Sequence, residues 1–293
     1  MGPPSSGGLH VIQMLNILDN FNLKKIKHNS SEYINLLAET MKYAYADRSK
    51  YLGDPDFYNV PIKKVTSKKY ANEISNNIEI GKAASVEDIY PGKFIENESH
   101  ETTHFSVVDK NGNVVSMTYT LNSTFGSKVV IKGTGILMNN EMDDFSAAPG
   151  IPNQFNLLGA EANQIAPYKR PLSSMTPTIV LKNNELFFTT GSPGGARIIS
   201  AVLQSILNIV DFDMNLEEAT FAKRIHHQWY PDVLEIEFSL DSEDEAELKK
   251  MGYSTSIILP LTCLQTIMFK EDTYYGYGDF RRVDALASGD IND

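Results

Sequence analysis

The chain has 293 residues, of which 42% are apolar and 22% charged, an ordinary globular composition with room for a sizeable core. Its formal charge of −11 leaves no basic face for nucleic-acid phosphates and disfavours attraction to anionic membranes. No apolar run approaches the roughly 20 residues that span a bilayer. The opening Met1-Gly-Pro-Pro-Ser-Ser-Gly-Gly8 lacks the basic region of a signal peptide, and the single Cys263 excludes an intrachain disulfide and a cysteine-based metal site.

Taken in chain order, Ser6 is a candidate N-cap for a helix whose Val11, Ile12, Leu15, Leu18 and Phe21 fall on one stripe. Asn29 with Glu32 predicts a capping box ahead of Tyr33, Leu36, Leu37, Met41 and Ala44. Gly53-Asp-Pro-Asp56 is a breaker, and residues 68–78 read as another helix. Residues 81–101 are polar and contain Pro91-Gly92, which predicts an exposed, mobile connector of functional or cleavable character. Residues 104–109 and 114–120 flank Lys110-Asn-Gly-Asn113, a strong hairpin signal, and residues 178–181 and 186–190 flank Asn183-Asn184, a second one. Gly191-Ser-Pro-Gly-Gly195 then feeds a helix carrying Ile198, Ile199, Val202, Leu203, Ile206 and Ile209, apolar enough to be buried. Asn215 with Glu218 caps a short helix, and residues 241–251 form an acidic amphipathic one. Hairpins interleaved with buried helices predict a layered sandwich of the α+β class.

The usual signals of phosphate, zinc-protease or serine-hydrolase chemistry are absent. His226-His227 is the one histidine pair, and neighbours on a strand point to opposite faces, so it reads as packing beside Trp229 rather than a metal site. No cofactor is implied. What remains is Thr102-Thr103, at the start of the first strand. Taken alone it is an ordinary strand opening, since threonine favours strands. A threonine at a chain terminus is different, because its own α-amino group, with an ordinary pKa of about 7.7–8.0, serves as general base for the hydroxyl.

The surrounding motifs bear on that choice. Thr102-Thr-His-Phe-Ser-Val-Val-Asp109, Thr118-Tyr-Thr-Leu-Asn122, Asn139-Asn-Glu-Met-Asp-Asp-Phe-Ser146, Lys169-Arg-Pro-Leu-Ser-Ser-Met175 and Gly191-Ser-Pro-Gly-Gly-Ala-Arg197 occur in that order. Together they resemble the small subunit of the γ-glutamyltransferases (glutathione hydrolases), members of the N-terminal-nucleophile hydrolases. Pro3-Pro-Ser-Ser-Gly-Gly8, Tyr43-Ala-Tyr-Ala-Asp-Arg48 and Tyr51-Leu-Gly-Asp-Pro-Asp56 resemble the last stretch of that family's large subunit.

The resemblance implies a four-layer αββα sandwich and self-cleavage between Glu101 and Thr102. Residues 1–101 would then be the end of a large subunit, and residues 102–293 a small catalytic subunit, associated as a heterodimer. It places the nucleophile on Thr102 and its hydrogen-bonding partner on Thr120. Asn122, Glu141 and Asp144 would face the substrate's α-ammonium, Ser173 and Ser174 its α-carboxylate, and Gly194 and Gly195 would supply the oxyanion hole. Asp143 reads as solvated surface. Donors would be glutathione and related γ-glutamyl amides, and acceptors water, amino acids or peptides. A periplasmic or secreted location is implied by the family alone.

Where the chain departs from the pattern, the family's N-terminal half, with the arginine that pairs with the α-carboxylate, is expected to be missing or supplied separately. Phe155 stands in the expected lid loop (residues 145–159) where many bacterial members have tyrosine, and Asp279-Phe280-Arg281 stands where Asp-Pro-Arg is usual. Three readings stay open: a γ-glutamyltransferase, an inactive truncated relative, and a related acylase acting on another amide.

Overall fold

The computed structural model describes residues 1–89, 102–148, 150–237, 239–283 and 285–290. Helices α1 (Gly7–Leu18), α2 (Ser31–Tyr51), α3 (Ile62–Val65) and α4 (Lys68–Ser75) come first. The hairpin β1 (Thr103–Val108) and β2 (Val114–Tyr119) follows, then β3 (Thr178–Lys182), β4 (Glu185–Thr190), α5 (Arg197–Val210) and α6 (Leu216–Phe221). The chain continues through β5 (Ile225–His226), β6 (Leu234–Glu237), α7 (Ser242–Met251), β7 (Thr255–Ile258), β8 (Gln265–Lys270) and β9 (Thr273–Gly278). The result is a mixed α/β fold.

Both hairpins form where their turns predict. Asn183 and Asn184 both take positive φ, as a two-residue turn between twisted strands requires. Strands β3, β4, β8 and β9 make one antiparallel sheet in that spatial order, while β5 and the parallel pair β6 and β7 make another, with α7 as the crossover between its parallel strands. Strands β5 to β9 have no counterpart in the sequence reading. Glu271 and Asp272, which turn β8 into β9, are both left-handed without an Asn-Gly signal to announce it. β5 and β6 are too short to alternate visibly.

Two helix starts differ from expectation. Ser6 does precede α1 but has helical backbone angles and makes no side-chain cap; its hydroxyl donates to Ser173 O (2.9 Å) instead. Asn29 is left-handed (φ 56°), so the cap of α2 falls to Ser30, whose hydroxyl accepts from Tyr33 N, and the Asn29–Glu32 box does not form. The Asn215–Glu218 capping box does form.

One apolar cluster draws on both sides of residue 101, with Met14, Leu37 and Met41 meeting Phe188, Ile199, Leu203 and Leu234. β1 and β2 lie on the four-stranded sheet through a polar inner face. Ser106 Oγ is 3.4 Å from Thr189 Oγ1, and Ser116 Oγ donates to Thr190 O (3.4 Å). The outer face carries Phe105, Val107, Val115, Met117 and Tyr119, all exposed.

The first part of the expected connector is exposed at Gly81, Lys82, Ser85, Glu87 and Asp88, as expected, but its backbone is anchored. Glu39 and Lys42, both buried on α2, form an ion pair at 2.9 Å and grip Ala84 through its N–H and carbonyl. Asn35 accepts from Gly81 N, and the Trp229 indole donates to Val86 O and Ile89 O. A polar sequence conceals this because it is the backbone of residues 81–89 that is held. Residues 90–101, including Glu101, lie outside the described residues. Lys42→Met, which leaves Glu39 buried without its cation, is expected to cost about 3–5 kcal/mol, seen as a lower urea midpoint at unchanged slope; adding Glu39→Gln should recover part of the loss.

Candidate active site

The β1–β2 register sets Thr103 opposite Tyr119 and His104 opposite Thr118. By the same alternation Thr102 and Thr120 fall on the inner face, and the Thr102 hydroxyl donates to Thr120 Oγ1 at 3.5 Å. Thr120 Oγ1 also accepts from Asn122 N (2.8 Å). Asn122 is buried and left-handed (φ 74°), a conformation asparagine tolerates, and its amide donates to Asn140 O (3.3 Å).

Asn140 leads into the short helical turn Glu141–Asp144. The carboxyl groups of Glu141 and Asp144 interact electrostatically. Burial, and then the charge of Glu141, push the Asp144 carboxyl well above the usual range, while Arg48 pulls it back. The pair therefore holds a proton to higher pH than either carboxyl would alone. Asp143 is exposed and accepts from Gln154 N (2.8 Å).

Ser173 and Ser174 are half-buried on a segment that pairs with the start of the chain. Ser5 bridges to Ser173, Ser6 N donates to Ser173 O (2.9 Å), and Ser173 N donates to Pro4 O (3.1 Å). Behind them Arg48 on α2 donates to Ser174 Oγ and Ser6 Oγ, both at 3.0 Å. Thr102, Thr120 and Asn122 thus form one hydrogen-bonded run that ends at Asn140, the residue before Glu141, while Ser173 and Ser174 belong to a second group with Arg48 and the start of the chain.

The glycine turn lies against the hairpin. A Cβ at Gly191 would come within 2.2 Å of the His104 ring, which holds β1 to the turn. Gly194 and Gly195 both have positive φ, and α5 starts directly after them, with Arg197 N and Ile198 N donating to their carbonyls. Among the described residues neither glycine N–H has a hydrogen-bond acceptor. The turn therefore offers open donors at the positive end of a helix, the arrangement that stabilises an oxyanion.

Two basic residues close to the site carried no signal of their own. Arg282 donates to Thr102 O (3.4 Å), and Arg48 was visible only inside a motif. Arg282 follows the departing Asp279-Phe280-Arg281. There Asp279 is fully buried and accepts from Arg224 (2.7 Å) and Arg281, and Phe280 packs its exposed ring on Phe221. Phe155 is buried in the core, and its carbonyl accepts from Gln228. His226 and His227 are both buried; His226 bonds Ser200 and Gln228, and His227 lies 3.2 Å from Asp232, so they do not converge.

Comparison with known proteins accords with this geometry. The family model described as gamma-glutamyltranspeptidase matches residues 1–289. The chain is 50% identical over 290 residues to the Escherichia coli K12 glutathione hydrolase proenzyme, covering 99% of this chain and 50% of that protein. The chain spans about half the length of the curated relatives it matches. Among solved structures, the Helicobacter pylori gamma-glutamyltranspeptidase T380A mutant aligns with a TM-score of 0.60 at 49% identity, over 61% of this chain and all of that one. A Bacillus halodurans cephalosporin acylase aligns with a TM-score of 0.82 at 24% identity over the whole chain and 51% of its own, a likeness of fold alone. The chain belongs to the gamma-glutamyltranspeptidase family.

The glycine turn is sterically specified. A Cβ on Gly194 (φ 133°) would meet Thr262 Cγ2 at 2.9 Å and Leu261 O at 3.2 Å. Gly194→Ala is therefore expected to lower stability by about 1–3 kcal/mol in denaturant unfolding, whereas Gly289→Ala, in open space, should leave it unchanged.

Proposed function

We propose that this member of the gamma-glutamyltranspeptidase family transfers γ-glutamyl groups from glutathione and related amides to water or to amino-acid and peptide acceptors, through an ester on Thr102. The observation that carries the reading is the Thr102–Thr120 hydroxyl contact at the mouth of β1, in a chain half-identical to a glutathione hydrolase proenzyme.

The route begins with self-cleavage. The Thr102 hydroxyl adds to the Glu101 carbonyl, the peptide C–N bond breaks as the Thr102 nitrogen takes a proton, and water hydrolyses the resulting ester. Thr102 is left with a free α-amine. That amine then takes the hydroxyl proton as Thr102 attacks the γ-carbonyl of the donor, and passes it to the departing amine. Thr120 orients the nucleophile. The N–H groups of Gly194 and Gly195 stabilise the tetrahedral oxygen in both half-reactions. Water or an acceptor amine resolves the ester, so kinetics should be ping-pong.

Asn122, Glu141 and Asp144 receive the α-ammonium, and Ser173 and Ser174 the α-carboxylate. Residues 1–101 and 102–293 stay associated after cleavage through their common core. The finer architecture is a four-layer sandwich. Its outer helical layer comes from a further N-terminal half corresponding to the remaining length of the relatives, and covers the exposed Phe105, Val107, Val115, Met117 and Tyr119. Removing that much apolar area from water is a strong driving force for such a layer.

Expressed with such a half, the chain should appear on a denaturing gel as two pieces divided before Thr102, and Thr102→Ala should remain intact. Cleaved protein should release the chromophore from a γ-glutamyl anilide. Cleavage without turnover supports the inactive-relative reading, and turnover of another acyl amide in preference supports the acylase reading. A bound ammonium favours the ionised form of the Glu141–Asp144 pair, so donor binding releases a proton. KM for the donor is therefore expected to rise as pH falls through the raised Asp144 pKa, with kcat less affected. Asp144→Asn should lower kcat/KM on the order of 100-fold and abolish that pH dependence.

A further inference from the structure

The protein buries several arginines, and the others sit in ion pairs. Arg197 donates to Glu235 at 2.6 Å, while Arg224 and Arg281 share Asp279 at 2.7 and 2.9 Å. Arg48 differs. It is 4% exposed, yet its hydrogen-bond partners are two hydroxyls, Ser6 Oγ and Ser174 Oγ, and no carboxylate lies within ion-pair distance among the described residues. A buried guanidinium without an anion is an expensive arrangement. The carboxyl group whose charge it feels is Asp144, which is itself held toward its neutral form by burial and then by Glu141. A compensating negative charge is therefore lacking in the empty site and would have to arrive with a ligand. The place where it would arrive is set by Ser174, which is half-buried and bonded to Arg48 through its hydroxyl.

We propose that Arg48 is a positioning residue for the carboxylate of the bound γ-glutamyl group. Its Nη2–H donates to Ser174 Oγ, which leaves the hydroxyl proton free to point outward to the carboxylate, and its charge stands behind that hydrogen bond. This rests on the γ-glutamyl reading of the site. The arrangement also explains why the segment at residues 4–6 is built into the site: Ser6 takes the second guanidinium donor and, through Ser173 O, holds the two serines in line. Ser174 donating to an anion while accepting from a cation is a stronger donor than a hydroxyl alone.

The test compares two chromogenic anilides in the assembly in which the wild type is active. One carries a γ-glutamyl group, and the other a 4-aminobutyryl group, the same acyl chain without the α-carboxylate. Arg48→Met should raise KM for the γ-glutamyl anilide about tenfold or more with kcat within about threefold, and leave kcat/KM for the aminobutyryl anilide unchanged. Arg48→Lys should recover part of the loss. An equal fall on both donors, or no change on either, overturns the proposal and leaves Arg48 a structural staple. Should Arg48→Met fail to fold, a cycle of Arg48→Lys and Ser174→Ala decides. The lysine variant should have no further effect on the donor ratio once the hydroxyl is gone, and additive effects overturn the proposal. A wild type that turns over neither anilide overturns the γ-glutamyl reading itself, and this inference with it.

Discussion

The alignment of β1 against β2 is the constraint on which the rest of the site depends. Side chains on paired strands alternate between faces, so a slip of β1 by one residue would send Thr102, His104 and Ser106 outward, away from Ser116, Thr118 and Thr120. The turn at residues 109–113 fixes that alignment. Asp109 accepts from Asn111 N and Asn113 N through one carboxylate oxygen, and Gly112 supplies the positive φ. The hairpin places its polar side chains inward and its apolar ones outward, the reverse of a surface hairpin in a finished domain. Its inner hydroxyls meet the four-stranded sheet, so the apolar residues fall on the exposed outer face.

The chain also combines pieces that are far apart in sequence into one electrostatic unit. The serine segment near residue 5 and the serine pair near residue 173 meet at the arginine at the end of α2, whose charge is also felt by Asp144 of the carboxyl pair. Burial and mutual repulsion raise the affinity of the carboxyl pair for a proton, and a shared proton limits the repulsion between two half-buried acids.

Local signals were legible in the sequence wherever the backbone conformation was decided locally. Asn183-Asn184, the 109–113 turn, the capping box at Asn215 and the buried stripe of α5 all appear where their residues place them. The misses share another cause. Asn29 and Ser6 carry the right chemistry for caps, but one adopts a left-handed angle and the other spends its hydroxyl on Ser173, a partner 167 residues away. Residues 81–89 look solvated because their side chains are polar, while Glu39, Lys42 and Trp229 hold their backbone. The candidate site residues were named through motif order. Arg48 and Arg282 were not, because an arginine announces neither its partner nor its burial.

The common core of residues 1–89 and 102–290 has a consequence for how such a molecule is made. Met14, Leu37 and Met41 share one core cluster with Phe188 and Leu203, and Arg48 is bound to Ser174, so the two sides complete a common interior. An uncut chain assembles these surfaces in a unimolecular reaction. Once severed, two polypeptides must find each other before the same interior can close, and renaturation becomes second order. Maturation of this kind would be a one-way ratchet: the molecule folds once with its halves tethered, and after unfolding regains its form only at a rate set by dilution.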